Sequence, residues 1–219
     1  MDLSGNTVVM PVTIKKTWHI FGINRISFGP FTASEIHLGW DKTGSLTADV
    51  YTASDFSKHY DFILKQDKGT DWECKCRVKA TKKELKGKLL GGDLYIPVRS
   101  EISLNCIFKG AQGDSSWTLD LSKNATETDM FTGELSRAGE TIRIESVEEI
   151  DGQRFNVSYQ PSGYVYKKGN AAIGAVDVLD KQRVWITPDS TGNLSPEIAL
   201  ASTAVILFQD VLKAVEEAK

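Results

Sequence analysis

Residues 195–219 restrict the fold more than any other part of the sequence. Ser195 is a favourable N-cap, and Pro196 suits the first turn of a helix, where a missing N–H costs nothing. Residues 198–208 are almost all apolar. Because successive helical residues turn by roughly 100°, this run covers the whole circumference of the helix. A helix over residues 196–217 must therefore be surrounded on all sides by lipid or by protein.

The length of the apolar run argues against lipid. It ends at Gln209 and Asp210, well short of the roughly 20 residues that a transmembrane helix needs. The sequence therefore predicts no transmembrane segment and a helix enclosed by the rest of the chain. After Leu212 the residues become polar, so the C-terminal end of the helix should reach solvent.

Residues 8–187 predict the strands that enclose the helix. Short stretches of apolar and polar residues follow one another at intervals of roughly 8–12 residues, which is typical of an antiparallel sandwich or barrel. A sheet that closes on itself leaves no exposed edge and can hold the helix in its lumen. We therefore expect a mainly β protein, a closed antiparallel barrel of about twelve strands around a buried hydrophobic C-terminal α-helix, forming one domain over residues 1–219. Residues 53–59 could form one further helical turn.

Charge restricts the partners. The net charge of -3 and the pI of about 5.7 argue against a general nucleic-acid-binding protein, whose usual mark is a basic surface. Five lysines nevertheless lie close together in the chain, at Lys79, Lys82, Lys83, Lys86 and Lys88. They are the candidate ligand-binding residues, for phosphate or a membrane surface, and the alternative interpretation is a solvated strand-and-turn region.

The cysteines leave the compartment open. Cys74 and Cys76 alternate with charged residues and share the inner face of a strand, and Cys106 has a similar setting. Buried thiols are one interpretation, and a disulfide from Cys106 to one of the other two is the alternative. The N-terminus lacks the basic start and apolar run of a signal peptide. The prediction is a cytoplasmic protein by default, or an exported one if a leader has been removed.

Four motifs near the C-terminus carry a resemblance to a known family. They are Gly163-Tyr164-Val165-Tyr166, Ile173-Gly174-Ala175-Val176, Arg183-Val184-Trp185-Ile186 and Ser195-Pro196-Glu197, the last leading into the apolar helix. In this order they resemble the tubby C-terminal-like superfamily, which includes tubby domains, phospholipid scramblases and the LURP-one-related proteins. The resemblance implies a closed antiparallel barrel of about twelve strands around a hydrophobic helix, the architecture that periodicity predicts independently.

The resemblance implies less about function, because one fold can host many different sites. Tubby domains bind phosphoinositides through a basic surface pocket, but the residues of that pocket cannot be placed on this sequence. Scramblase-like members carry a palmitoylated cysteine cluster and a calcium-binding segment near the helix, and neither is recognisable here.

The sequence offers little catalytic chemistry. It contains no nucleophile elbow, phosphate loop or dinucleotide fingerprint, so no cofactor is predicted. The three histidines lack the spacing of metal ligands, and no metal is predicted. Asp177 with Asp180 is the one carboxylate pair considered for catalysis, because Asp177 stands among apolar residues and a buried acid needs a partner or a raised pKa. The alternative places Asp177 outward, with Val176 and Val178 pointing into the core.

The leading hypothesis is a non-enzymatic binding or interaction protein, which binds anionic lipid headgroups or an envelope or protein partner. The alternative is a hydrolase that uses carboxylates in a surface groove. A third hypothesis is a carrier of small apolar ligands, which would need an open lumen.

Overall fold

The fold is seen in a computed structural model, which describes residues 7–17, 22–40, 44–48, 51–67, 69–89, 92–111, 116–124, 130–150, 153–154, 161–179 and 182–217. Residues 82–100 include most of the β7–β8 hairpin, and for the described ones among them the structure gives the backbone alone.

In the described part of the chain, sixteen strands precede one long helix. The strands are β1 Val8–Pro11, β2 Thr13–Thr17, β3 Gly22–Phe28, β4 Phe31–Trp40, β5 Gly44–Ala48, β6 Tyr51–Gln66, β7 Trp72–Leu89, β8 Gly92–Gly110, β9 Ser116–Asn124, β10 Thr132–Arg137, β11 Glu140–Val147, β12 Glu149–Ile150, β13 Gln153–Arg154, β14 Gly163–Lys168, β15 Ala171–Asp177 and β16 Arg183–Ile186, and the helix is α1 Pro196–Glu217.

Thirteen of the strands form one antiparallel, nearly closed barrel. Their order is β1-β16-β15-β14-β11-β10-β9-β8-β7-β6-β4-β3-β2, and β5 pairs with β6 outside this path. The two ends of the path, β1 and β2, are separated in the chain by Val12 alone, whose N–H donates to the carbonyl of Gln182 at 2.9 Å. The chain itself thus brings the ends of the sheet together, and the predicted barrel is confirmed.

The helix lies in the lumen of this barrel. Its bounds, Pro196–Glu217, are those predicted from the sequence. From Ile198 to Gln209 no residue is more than 3% exposed. The helix contacts β6, β7 and β8 on one part of the sheet path and β15 and β16 on another. The all-round apolar character of the helix therefore has the predicted cause: the wall surrounds it.

Alternation along the wall separates a buried inner face from an outer one. On β7 the inward residues are Trp72, Cys74, Cys76 and Val78, all less than a tenth exposed, and the residues between them are exposed. The same period of two runs through β8 and β9. The strand with both early cysteines on its inner face is therefore as the sequence predicts.

Three buried tyrosines of the wall form hydrogen bonds with the helix. The Tyr60 hydroxyl donates to the Ala204 carbonyl at 2.7 Å. The Ser202 hydroxyl donates to the Tyr166 hydroxyl at 3.2 Å, and the Gln209 amide donates to the Tyr164 hydroxyl at 2.9 Å. Because a buried polar group without a partner costs about 1–3 kcal/mol, these bonds favour one rotation and one depth of the helix in the barrel.

One predicted element is wrong and others fall outside the described residues. Residues 53–59 lie inside strand β6, paired with β7, where long-range pairing replaces the predicted helical turn. Within the range of predicted strands, residues 151–152 and 155–160 lie outside the described part of the chain.

The close approach of the helix to β15 gives a first prediction. A Cβ added at Gly174 would lie 2.8 Å from Ile198 Cγ2 and 2.8 Å from the Trp185 carbonyl oxygen. We expect Gly174→Ala to lower the free energy of unfolding by about 1–3 kcal/mol, the usual cost of overpacking, in denaturant titrations. Ala171→Val, at an exposed position of the same strand, is the control and should change it little. Equal stabilities of the two variants would show that the helix does not approach β15 so closely.

The buried phenols predict a loss of stability in alkali. Burial raises the pKa of Tyr60, Tyr164 and Tyr166. Above about pH 10 the unfolded chain releases these protons while the folded chain keeps them, so each tyrosine removes about 1.4 kcal/mol of stability per pH unit. Tyr60, Tyr164 and Tyr166 should therefore ionise, by ultraviolet absorbance, only when circular dichroism shows unfolding.

The variant Tyr166→Phe should reduce the number of tyrosines that ionise with unfolding by one. The prediction is wrong if all the tyrosines ionise at an ordinary pKa while the circular dichroism spectrum stays native.

Candidate functional site

A groove of about 310 Å³ lies where β7, β8 and β9 run side by side. We call it the β7–β9 groove and define it by its lining residues: Lys79, Thr81, Glu101, Ile102, Ser103, Ser122 and Lys123. Its volume is at the lower end of the about 300–1,000 Å³ that small-molecule sites occupy.

The strand register explains why a groove forms here. Lys79 pairs with Ser103 across β7 and β8, and Ser103 pairs with Ser122 across β8 and β9. One step along the same face, Thr81 pairs with Glu101. The two serines are short, whereas Lys79 and Glu101 are long, so the centre of this patch is lower than its margins.

The polar groups of the groove include donors that no described residue uses. Lys79 is exposed, and within the described part of the chain its ammonium forms no ion pair or hydrogen bond. The Ser103 and Ser122 hydroxyls also lack a hydrogen-bond partner among the described residues. The Thr81 hydroxyl instead donates to an Asp55 carboxylate oxygen at 2.8 Å, outside the groove. A ligand with several acceptor oxygens could therefore bind Lys79 and both serines without displacing a described contact.

The second lysine of the groove has a different setting. Lys123 is 7% exposed, and its Nζ lies 5.8 Å from the centre of the Phe131 ring. Its neighbour across β8 is Ile102, which also lines the groove. By alternation the Lys123 side chain lies on the inner face of the wall, as the buried Leu121 does, so the charged groups on the outer face of the groove are the Lys79 ammonium and the Glu101 carboxylate.

Of the five lysines predicted from the sequence, the structure places Lys79 in the groove. The other four, Lys82, Lys83, Lys86 and Lys88, follow on the same strand and pair with residues 93–100 of β8. Their side chains lie outside the described residues. Glu101, Ser103 and Ser122 could not be identified from the sequence, because only the register of β8 and β9 brings them beside Lys79.

Asp177 occupies an unexpected environment. It lies on the face opposite Val176 and Val178, which belong to the core, so the alternative interpretation of the sequence, an outward Asp177, holds. Asp177 is nevertheless 0% exposed. Its carboxylate accepts a hydrogen bond from the Leu179 N–H at 2.8 Å and lies 3.3 Å from an Arg183 guanidinium nitrogen. These contacts give Asp177 a structural role, and Asp180 lies outside the described residues.

A buried lysine lies inside the barrel rather than in the groove. Lys58 is 4% exposed and its Nζ lies 6.0 Å from the centre of the Phe56 ring. Burial lowers the pKa of Lys58, and the Asp210 carboxylate partly offsets this effect. Lys16 also reaches Asp210, at 3.9 Å. Positive charge thus faces the C-terminal part of the helix, where the helix dipole is negative.

The described residues contain no candidate metal site, because no group of three or more His, Cys, Asp or Glu residues among them could hold an ion. Among the same residues, no helix is both long and apolar enough to cross a bilayer.

No protein-family model, curated protein or solved structure matches this chain. Membership of the tubby C-terminal-like superfamily therefore stays a prediction.

A disulfide joins the two strands that supply most of the groove. Cys76 and Cys106 face each other across β7 and β8 and are bonded, with a sequence separation of 30. Each lies three positions from a groove residue, Lys79 or Ser103. Of the two alternatives for the cysteines, the disulfide holds for this pair, whereas Cys74 is a buried free thiol whose pKa is raised by burial.

The disulfide gives a prediction about stability. Closing a loop of this length restricts the unfolded chain by about 3–4 kcal/mol. A dithiol reductant should therefore lower the free energy of unfolding of the wild-type protein by that amount and leave Cys76→Ala/Cys106→Ala unchanged. In denaturant without reductant, one of the three cysteines should react as a thiol. Three reactive thiols in that assay would show that the bond is absent.

Proposed function

We propose that this chain is a non-enzymatic binding protein whose β7–β9 groove holds the phosphate of an anionic lipid headgroup. The observation that carries this proposal is the exposed Lys79 ammonium beside the hydroxyls of Ser103 and Ser122, all without a partner among the described residues. A phosphate offers several strong acceptor oxygens, and lysine binds it as a point charge.

The geometry of the groove supports this ligand. The wall is a β-sheet whose strands are paired through the groove, so the backbone holds Lys79, Ser103 and Ser122 in a row before a ligand arrives. Preorganisation of this kind lowers the entropic cost of binding. A compact headgroup suits the volume of about 310 Å³.

The other hypotheses receive less support. The hydrolase alternative relied on Asp177, whose carboxylate instead contacts Arg183 and the Leu179 N–H. An open-lumen carrier conflicts with the helix, which lies in the lumen with residues 198–209 buried. A protein or envelope partner remains a proposal that no contact of the described residues favours.

We also propose membership of the tubby C-terminal-like superfamily. What supports it is the combination of a nearly closed antiparallel barrel with a C-terminal helix in its lumen. The motifs that carry the resemblance lie in β14, β15, β16 and the start of the helix. The proposed ligand rests on the groove and not on this membership, because the fold alone does not specify a site.

Co-sedimentation with phosphatidylcholine vesicles that contain phosphatidylserine tests the proposed function. Wild-type protein should bind, and binding should weaken with added salt because the charges are exposed. Lys79→Gln should reduce the affinity about tenfold, the loss expected for a hydrogen bond to a charged group. Lys75→Gln removes an exposed lysine from the same face of β7, outside the groove, and should bind like the wild type.

A further variant separates the groove from the rest of the predicted lysine cluster. It replaces Lys82, Lys83, Lys86 and Lys88 by glutamine and keeps Lys79. If vesicle binding depends on these four and not on Lys79, the β7–β9 groove is not the site. Equal losses in Lys79→Gln and Lys75→Gln would indicate diffuse attraction of positive charge to the membrane, and absence of wild-type binding at low salt would overturn the proposed function.

A further inference from the structure

The outer face of the β7–β9 groove carries an acid as well as a lysine. Glu101 lines the groove together with Lys79. Since Lys79 pairs with Ser103, Glu101 is the diagonal neighbour of Lys79 across β7 and β8. Diagonal neighbours on one face of an antiparallel pair lie about 7–8 Å apart, within reach of long side chains. The two opposite charges are therefore neighbours on one face of the sheet.

This arrangement disfavours a highly negative ligand. A headgroup with several phosphates would bring negative charge against the Glu101 carboxylate, and like charges at short range are repelled more strongly where water is partly excluded. A ligand with one phosphate and one positive group instead matches both signs. Specificity of this kind comes from repulsion of the wrong ligand as well as attraction of the right one.

We propose that the groove selects a phosphate that carries an ammonium group on a short carbon bridge, as in phosphoethanolamine and phosphoserine. This inference rests on the proposed function and names the ligand class for the same site. Lys79 and the two serines bind the phosphate, and the Glu101 carboxylate accepts hydrogen bonds from the ammonium. Because Lys79 has no ion pair with any described residue, its ammonium is available to the phosphate.

The row of serines sets the orientation of this ligand. Ser103 and Ser122 lie side by side at the positions next to Lys79, so the phosphate belongs at this row. Thr81 and Glu101 form the next row along the strands. The Thr81 hydroxyl donates to Asp55, and Glu101 is the carboxylate of this second row, which is a stronger acceptor for an ammonium than a hydroxyl is. The ammonium belongs there, one row from the phosphate.

Two soluble headgroups that differ in the amine test the inference. Glycerophosphoethanolamine and glycerophosphoglycerol each carry one phosphodiester, and only the first carries an ammonium. In titrations followed by protein NMR chemical shifts, the wild type should bind the first about fivefold more tightly, the effect of one partly exposed ion pair. Glu101→Gln should remove this preference and still bind both compounds. Glu73→Gln, an exposed acid of β7 outside the groove, is the matched control and should keep it.

The same variants distinguish failure of the inference from failure of the proposed function. Lys79→Gln should weaken the binding of both headgroups, because it removes a phosphate contact. If the wild type binds both compounds equally, or if the preference survives in Glu101→Gln, the ligand class is wrong while phosphate binding stands. If neither compound binds, the proposed function is overturned as well.

Vesicles identify the source of the headgroup. The wild type is compared on vesicles that contain phosphatidylethanolamine and phosphatidylserine and on vesicles matched in charge with phosphatidylglycerol. Preference for the amine-bearing vesicles, lost in Glu101→Gln, indicates a lipid ligand. Preference in the soluble titration alone indicates a free phosphorylated amine, and preference in neither overturns the inference.

Discussion

The structure depends on enclosing a helix that has no polar side. Residues 198–209 of the helix are buried all round, and a buried apolar side chain stabilises the fold by about 1.5–3 kcal/mol when water is removed from it. An open sheet would leave one side of such a helix wet. The sheet therefore curves until β1 and β2 meet through Val12. The need to enclose the helix thus explains why apolar residues alternate to the inner face, why the sheet closes and why tyrosines are buried against the helix.

The enclosed helix also decides where a ligand can bind. Apolar burial holds the helix in the lumen without fixing its rotation, and the hydrogen bonds of Tyr60, Tyr164 and Tyr166 supply that specificity. The inner face of the wall therefore packs against the helix and has no room for a ligand. Residues that bind a ligand must therefore lie on the outer face or at the rim of the barrel. The β7–β9 groove lies on the outer face.

The sequence predicts those features that depend on local pattern. The bounds of the helix follow from a cap, a proline and an apolar run, all within the helix itself. The barrel follows from the spacing of strands together with the need to enclose the helix. The groove could not be predicted, because Lys79, Ser103 and Ser122 become neighbours only through the register of three strands. Bulges, such as the one between Lys83 and Glu84, shift register in ways that an alternating pattern does not show.

Asp177 shows a second feature that strand alternation does not predict, the exposure of residues on the outer face. Alternation correctly places Asp177 on the outer face, but residues on that face are not equally exposed to solvent. At β14–β16 the outward residues Val165, Ala175 and Asp177 are at most 4% exposed, whereas on β8 the outward Ile107 is 49% exposed. A period of two distinguishes the faces of a sheet, but the exposure of the outer face depends on what the rest of the chain covers. An outward acid at β15 therefore forms an ion pair that stabilises the wall, while an outward lysine at β7 stays available to a ligand.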